Sequence, residues 1–168
     1  MRTPVGSIVR GAIAGAVGTL AMDLVWYSRY KRGGGKDRFA DWEFSVGTES
    51  YEQAAAPAQV GKRIVEGVTG KELPDSTAAF MNNAVHWATG AGWGKLHGLI
   101  AGSAAAPSIA YGLVTGPVAW ATSYAALAPM GIYKPMWEYD AATLWKDLSA
   151  HLVYGLGTAA AFKLLSKI

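Results

Sequence analysis

Residues 82–98 read NNAVHWATGAGWGKLHG. On a helix, residues four apart lie nearly above one another. Gly90, Gly94, Gly98 and the following Gly102 therefore form one ridge without side chains, and Asn82 and His86 continue the same face. The spacing recurs at Gly11 and Gly15 and again at Gly112 and Gly116. In lipid, apolar burial gives helices no drive to associate, and small residues at every fourth position replace it with close backbone contact. The pattern predicts helix packing, either within the chain or between copies in a homo-oligomer.

The composition around this stretch points to a membrane. Of 168 residues, 51% are apolar and 16% charged, against about 25% charged in a typical soluble domain. No Asp, Glu, Lys or Arg occurs in 11–22, 76–94, 98–133 or 148–162. A charge-free run of about 18 residues or more is long enough to cross a hydrocarbon core. The mean hydropathy is only +0.16, because these segments are rich in Ala and Gly rather than Leu. That leaves a soluble helical bundle as the alternative. There is no cysteine, so disulfide and thiolate chemistry are excluded. A net charge of +3 carries no nucleic-acid signature.

Four membrane helices are expected, over about 8–27, 77–101, 106–128 and 141–166, in a single integral membrane domain, 1–168. The first apolar run continues through Asp23 to Trp26 and Tyr27 and then meets SRYKR. This predicts an uncleaved membrane helix with an aromatic anchor and a basic flank rather than a signal peptide. Residues 28–76 form a polar loop. Within it, Val60, Ile64 and Val68 lie four apart, with Lys62, Arg63 and Glu66 on other faces. That is a short amphipathic helix from Pro57, lying on the membrane surface or capping the bundle. Asp75 or Ser76 is the expected N-cap of the next helix. Pro107 falls in the first turn of the third helix, and Tyr133, Trp137 and Tyr139 form an interfacial aromatic group before the fourth. Arg29, Lys31, Arg32, Lys36, Arg38, Lys62, Arg63, Lys71 and Lys134 fall on one side, and Arg2, Arg10, Lys163 and Lys167 on the other. The first side, with loop 28–76, is then cytoplasmic.

Ionisable groups inside a bilayer face the helix bundle and pair. Counted from the cytoplasmic helix ends, Asp23, Asn82, His86, Asp147 and His151 lie in the same half. His86 is on the order of 13 Å deep at 1.5 Å per residue. Several chemistries fit this group. Asp147 accepts a hydrogen bond from His151, four residues on, in a purely structural pairing. Imidazoles near neutrality suit proton handling. His86, His151, Asp147 and Asp23 suit Zn²⁺ or Fe²⁺. His86 and His151 suit the axial positions of one haem. No cofactor is required by the pattern. His97, near the far end of its helix, is expected at the interface. No phosphate loop, nucleophile elbow or HExxH motif occurs.

PMGIYKP followed by DLSAHLVYG resembles the YagU-like family of small bacterial inner-membrane proteins. The matching positions are Met130, Gly131 and Pro135, then Asp147 four residues before His151. The segment around His86 is also similar, whereas the long basic loop departs from the family. The resemblance implies a multi-pass inner-membrane protein linked to acid or envelope stress, with no established activity. The expected role is non-enzymatic, a structural or accessory component packing through its glycine ridges, alone or with a membrane-complex partner. The rivals are a proton- or divalent-ion-handling transporter or channel, and a metal- or haem-binding redox subunit.

Overall fold

A computed structural model describes residues 3–45, 48–104 and 107–167. Among these the chain is all helical: six α-helices, three single 3₁₀ turns and no strand. The helices are α1 (Pro4–Arg32), α2 (Phe39–Ser45), α3 (Ala56–Thr69), α4 (Ala78–Ser103), α5 (Gly112–Leu127) and α6 (Ala141–Leu165). Arg2 and the expected helix start at 106 lie outside the described residues.

Helix α1 is longer than the expected 8–27. Arg29, Lys31 and Arg32 form its last turn, where cations complement the negative end of the helix dipole. Glycines 33–35 then stop it, with Gly34 at a positive φ of 92°. The polar loop holds α3 as expected and also α2, whose FADWEFS carries no clear period. Asp75 opens a 3₁₀ turn instead of capping α4, and its Oδ1 accepts from Tyr51 N–H at 3.0 Å. The third long helix begins at Gly112, so Pro107 precedes it and Ile109–Tyr111 forms a 3₁₀ turn. There the Ser108 hydroxyl accepts from Ala110 N–H at 3.2 Å. Asp140 caps α6: Oδ1 accepts from Thr143 N–H at 2.9 Å and Oδ2 from the Thr143 hydroxyl at 2.7 Å. These bonds hold the Asp140 carboxyl below its ordinary pKa.

The chain divides into two compact units, Met1–Ser28 with Thr89–Ile168, and Arg29–Ala88. In the second, Tyr51, Ala54, Ala58 and Ala78 form a small core with Leu73 and Met81. Helix α3 turns its small residues, Ala56, Ala58 and Gly61, inward and leaves Ile64 and Val68 exposed. A Cβ on Gly61 would stand 2.9 Å from Val85 of α4. Buried Glu43 accepts from Trp87 Nε1–H at 3.0 Å.

The first unit is assembled on glycines. Helices α1 and α4 run so close that a Cβ on Gly15 would stand 2.8 Å from Gly94 Cα, and one on Gly98 2.9 Å from Gly11 Cα. Gly102 abuts Ser7, and Gly90 abuts Thr19. Helices α5 and α6 repeat the device: a Cβ on Gly112 would stand 2.6 Å from Gly155 C, and one on Gly116 2.9 Å from His151 C. Gly18 brings α1 against α6 at Tyr154. The four-glycine ridge of α4 and the pairs Gly11/Gly15 and Gly112/Gly116 are thus all occupied within one chain. Phe162 fills the centre with Ala14 and Ala101. Tyr154 packs with Met22 and Ala150 and donates to Gly90 O at 2.7 Å.

Along α1 the small and polar side chains are buried and the branched aliphatic ones exposed, the reverse of a helix in a water-soluble domain. On α1 the buried face is Ser7, Gly11, Ala14, Gly15, Gly18, Thr19, Met22 and Asp23. The exposed face is Val5, Val9, Ile13, Val17, Leu20 and Leu24. Leu99, Ile100, Leu113, Val114, Val118, Trp145 and Leu164 are exposed on α4, α5 and α6. Two helices, α1 and α6, are long and apolar enough to cross a membrane. Helix α5, with 16 residues, covers about 24 Å, and α4 is interrupted by Asn82, Asn83, His86, Lys95 and His97.

Candidate functional site

The polar residues singled out by the sequence divide between the units. Asn82 and His86 belong to the unit of residues 29–88; Asp23, Asp147 and His151 belong to the other. Asp23 is buried on the inner face of α1. Asp147 and His151 sit one turn apart on α6. His151 Nδ1 lies 3.3 Å from Asp147 Oδ1 and 3.0 Å from its backbone oxygen. A third residue, unremarked in the sequence, completes the set: Tyr124 donates its hydroxyl to Asp147 Oδ2 at 3.1 Å. The glycine contacts deliver it. Gly112 on Gly155 and Gly116 on His151 fix an antiparallel register, which carries Tyr124, two turns on, to Asp147.

A cleft of about 390 Å³ opens beside this carboxylate, lined by Trp26, Tyr124, Tyr133, Tyr139, Thr143, Lys146 and Asp147. Its rings brace one another. Tyr124 lies 5.1 Å from Tyr133 and 5.4 Å, edge to face, from Tyr139. Gly131, at a φ of 67° that suits glycine, reverses the chain after α5 and turns Tyr133 back toward Tyr124. The Tyr139 hydroxyl accepts from Lys134 N–H at 3.1 Å. Burial pushes the Tyr133 phenol up to about 12, with the Asp147 charge and Tyr139 adding to the shift. Trp137, grouped with Tyr133 and Tyr139 in the sequence, is 85% exposed and takes no part in the cleft.

No family model matches the chain, and neither the curated proteins nor the solved structures give a match. The site is therefore read from its own chemistry. Among the described residues no group of three or more His, Asp or Glu side chains is placed to hold a metal ion. Of the four metal candidates, Asp147 and His151 pair with each other, Asp23 lies on α1, and His86 lies in the other unit. Asp147, its carboxylate hydrogen-bonded to Tyr124 and 3.3 Å from His151 Nδ1, stands at the edge of an aromatic cleft.

His97, expected near the membrane interface, is buried within the fold at 3% exposure, edge-on to Phe162 at 5.6 Å. Its Nδ1 lies 2.8 Å from the Thr115 hydroxyl. That hydroxyl donates its one proton to Tyr111 O at 3.0 Å. Nδ1 must then carry the imidazole proton, which leaves Nε2 a buried acceptor with no hydrogen bond.

Proposed function

We propose that this chain is a small multi-pass protein of a bacterial inner membrane, with α1, α4, α5 and α6 embedded together as a four-helix bundle. Its role is non-enzymatic: a structural or accessory component. The observation that carries the reading is the inverted distribution along α1. Gly, Ala, Ser and Thr mesh inside, and a continuous row of Val, Ile and Leu faces outward along α1. In water that outer row opposes folding; in lipid it is solvated, and backbone contact at the glycines supplies the association. The basic last turn of α1 and the basic loop 28–76 support a cytoplasmic location for that loop. The exposed Ile64 and Val68 of α3 beside Lys62 and Arg63 suit the membrane surface. The likeness of 129–135 and 147–155 to YagU-like proteins points the same way. Because the glycine ridges are occupied within the chain, any partner would meet the aliphatic outer faces.

Alkaline carbonate extraction of membranes from expressing cells tests this reading. The protein should remain in the pellet; release into the supernatant in folded, monodisperse form would overturn it.

A further inference from the structure

The cleft beside Asp147 has a composition that the accessory role does not require. Four aromatic side chains, Trp26, Tyr124, Tyr133 and Tyr139, share it with one carboxylate and one lysine. Aromatic faces attract cations through their quadrupoles, most strongly where water is displaced. The Asp147 carboxylate supplies an acceptor at the edge of these rings, held by the Tyr124 hydroxyl at 3.1 Å, with His151 Nδ1 3.3 Å away. A carboxylate within an aromatic wall recognises an organic ammonium. Lys146 narrows the class further. It repels a bare cation but attracts an anion placed next to the ammonium. The cleft volume falls in the range of small-molecule sites.

We propose that this cleft binds a zwitterionic amino-alcohol phosphate, with its ammonium against Asp147 and the tyrosine rings and its phosphate toward Lys146. This chemistry occurs in two sources, the headgroup of a zwitterionic phospholipid and the free phosphate ester. Tyr133 and Tyr139 supply the rings that approach from the turn after α5. Tyr124 links the cage to the carboxylate.

Full-length protein in a nonionic, phosphate-free detergent is titrated calorimetrically with phosphocholine, phosphoethanolamine, tetramethylammonium and inorganic phosphate. In parallel it is reconstituted with a mixture of phosphatidylethanolamine and phosphatidylglycerol, and retained lipid is identified by native mass spectrometry. The zwitterions bind more tightly than either half alone, or phosphatidylethanolamine is retained over phosphatidylglycerol. The first outcome assigns the free ester and the second, alone, the lipid. Asp147→Asn weakens binding by on the order of tenfold. So does Tyr139→Leu, which leaves the Asp147–His151 pair intact. Lys146→Met weakens the zwitterions and strengthens tetramethylammonium. The proposal is overturned if inorganic phosphate binds as tightly as phosphocholine. It is equally overturned if neither Asp147→Asn nor Tyr139→Leu alters binding, or if no probe binds and neither lipid is preferred.

Discussion

Gly11 and Gly94 meet backbone to backbone. A Cβ on Gly11 would stand 3.1 Å from Gly94 C, and one on Gly94 would press on Gly11 O. No side chain can yield to relieve that contact, because both partners are main chain in mid-helix.

The contact separates two chemically identical substitutions on α4. A Cβ at Gly92 meets nothing within 4 Å, whereas one at Gly94 stands 2.5 Å from Gly15 Cα. Gly92→Ala should stabilise by about 1 kcal/mol through helix propensity. Gly94→Ala should destabilise by roughly 2 kcal/mol or more through overpacking. Thermal unfolding in detergent, followed by circular dichroism, reads both; equal shifts would mean that α1 and α4 do not touch there.

The His97 ring is predicted to hold one tautomer. With the Thr115 proton directed to Tyr111 O, imidazole ¹⁵N shifts should show a protonated Nδ1 and a bare Nε2. Thr115→Val should remove the preference. A spectrum of the opposite tautomer would contradict the hydrogen-bond chain through Thr115.

Tyr133 gives a signed pH dependence. Its phenol is raised to about 12 in the folded chain, against an ordinary value of about 10. Between these limits the unfolded chain releases its proton while the folded chain keeps it, so stability falls as pH rises from about 10 toward 12. Tyr133→Phe should lose less melting temperature than the parent between about pH 9 and about pH 11. Parallel losses would show that Tyr133 is not buried against Asp147.

Much of the helical frame was legible in the sequence, because its signals are local. Pro and Gly mark the ends, and the four-residue glycine period is visible in one dimension. The start of α5 was not: Pro107 suits a helix's first turn, but Ser108 stabilises an extended approach and delays the helix to Gly112. Which glycine meets which depends on register between helices, which no single segment encodes. The burial of His97 is not legible for a related reason. Counting depth from a helix end treats all faces alike, yet 97 lies three residues after Gly94 and so falls on the same packed face. Tyr124 is not legible in the sequence because an aromatic late in an apolar helix looks like lipid contact; only the α5–α6 register brings it to Asp147. Asp147 and His151, four apart on one helix, were visible as a pair. Asp23, Asn82 and His86 share their depth by count, but Asn82 and His86 fall in the other compact unit.

The central claim is that the Val–Ile–Leu face of α1 is bathed in lipid, and the chain is suited to testing it because it has no cysteine. Single cysteines at Ile13 and, as an aqueous reference, at exposed Glu72 can carry nitroxide labels in protein reconstituted into phospholipid vesicles. Power-saturation electron paramagnetic resonance then compares collisions with oxygen, which concentrates in the bilayer, against a water-soluble nickel complex. The account predicts a label at Ile13 that oxygen reaches freely and nickel does not, with the order reversed at Glu72. A label at Ile13 that nickel reaches as readily as the one at Glu72 would contradict it.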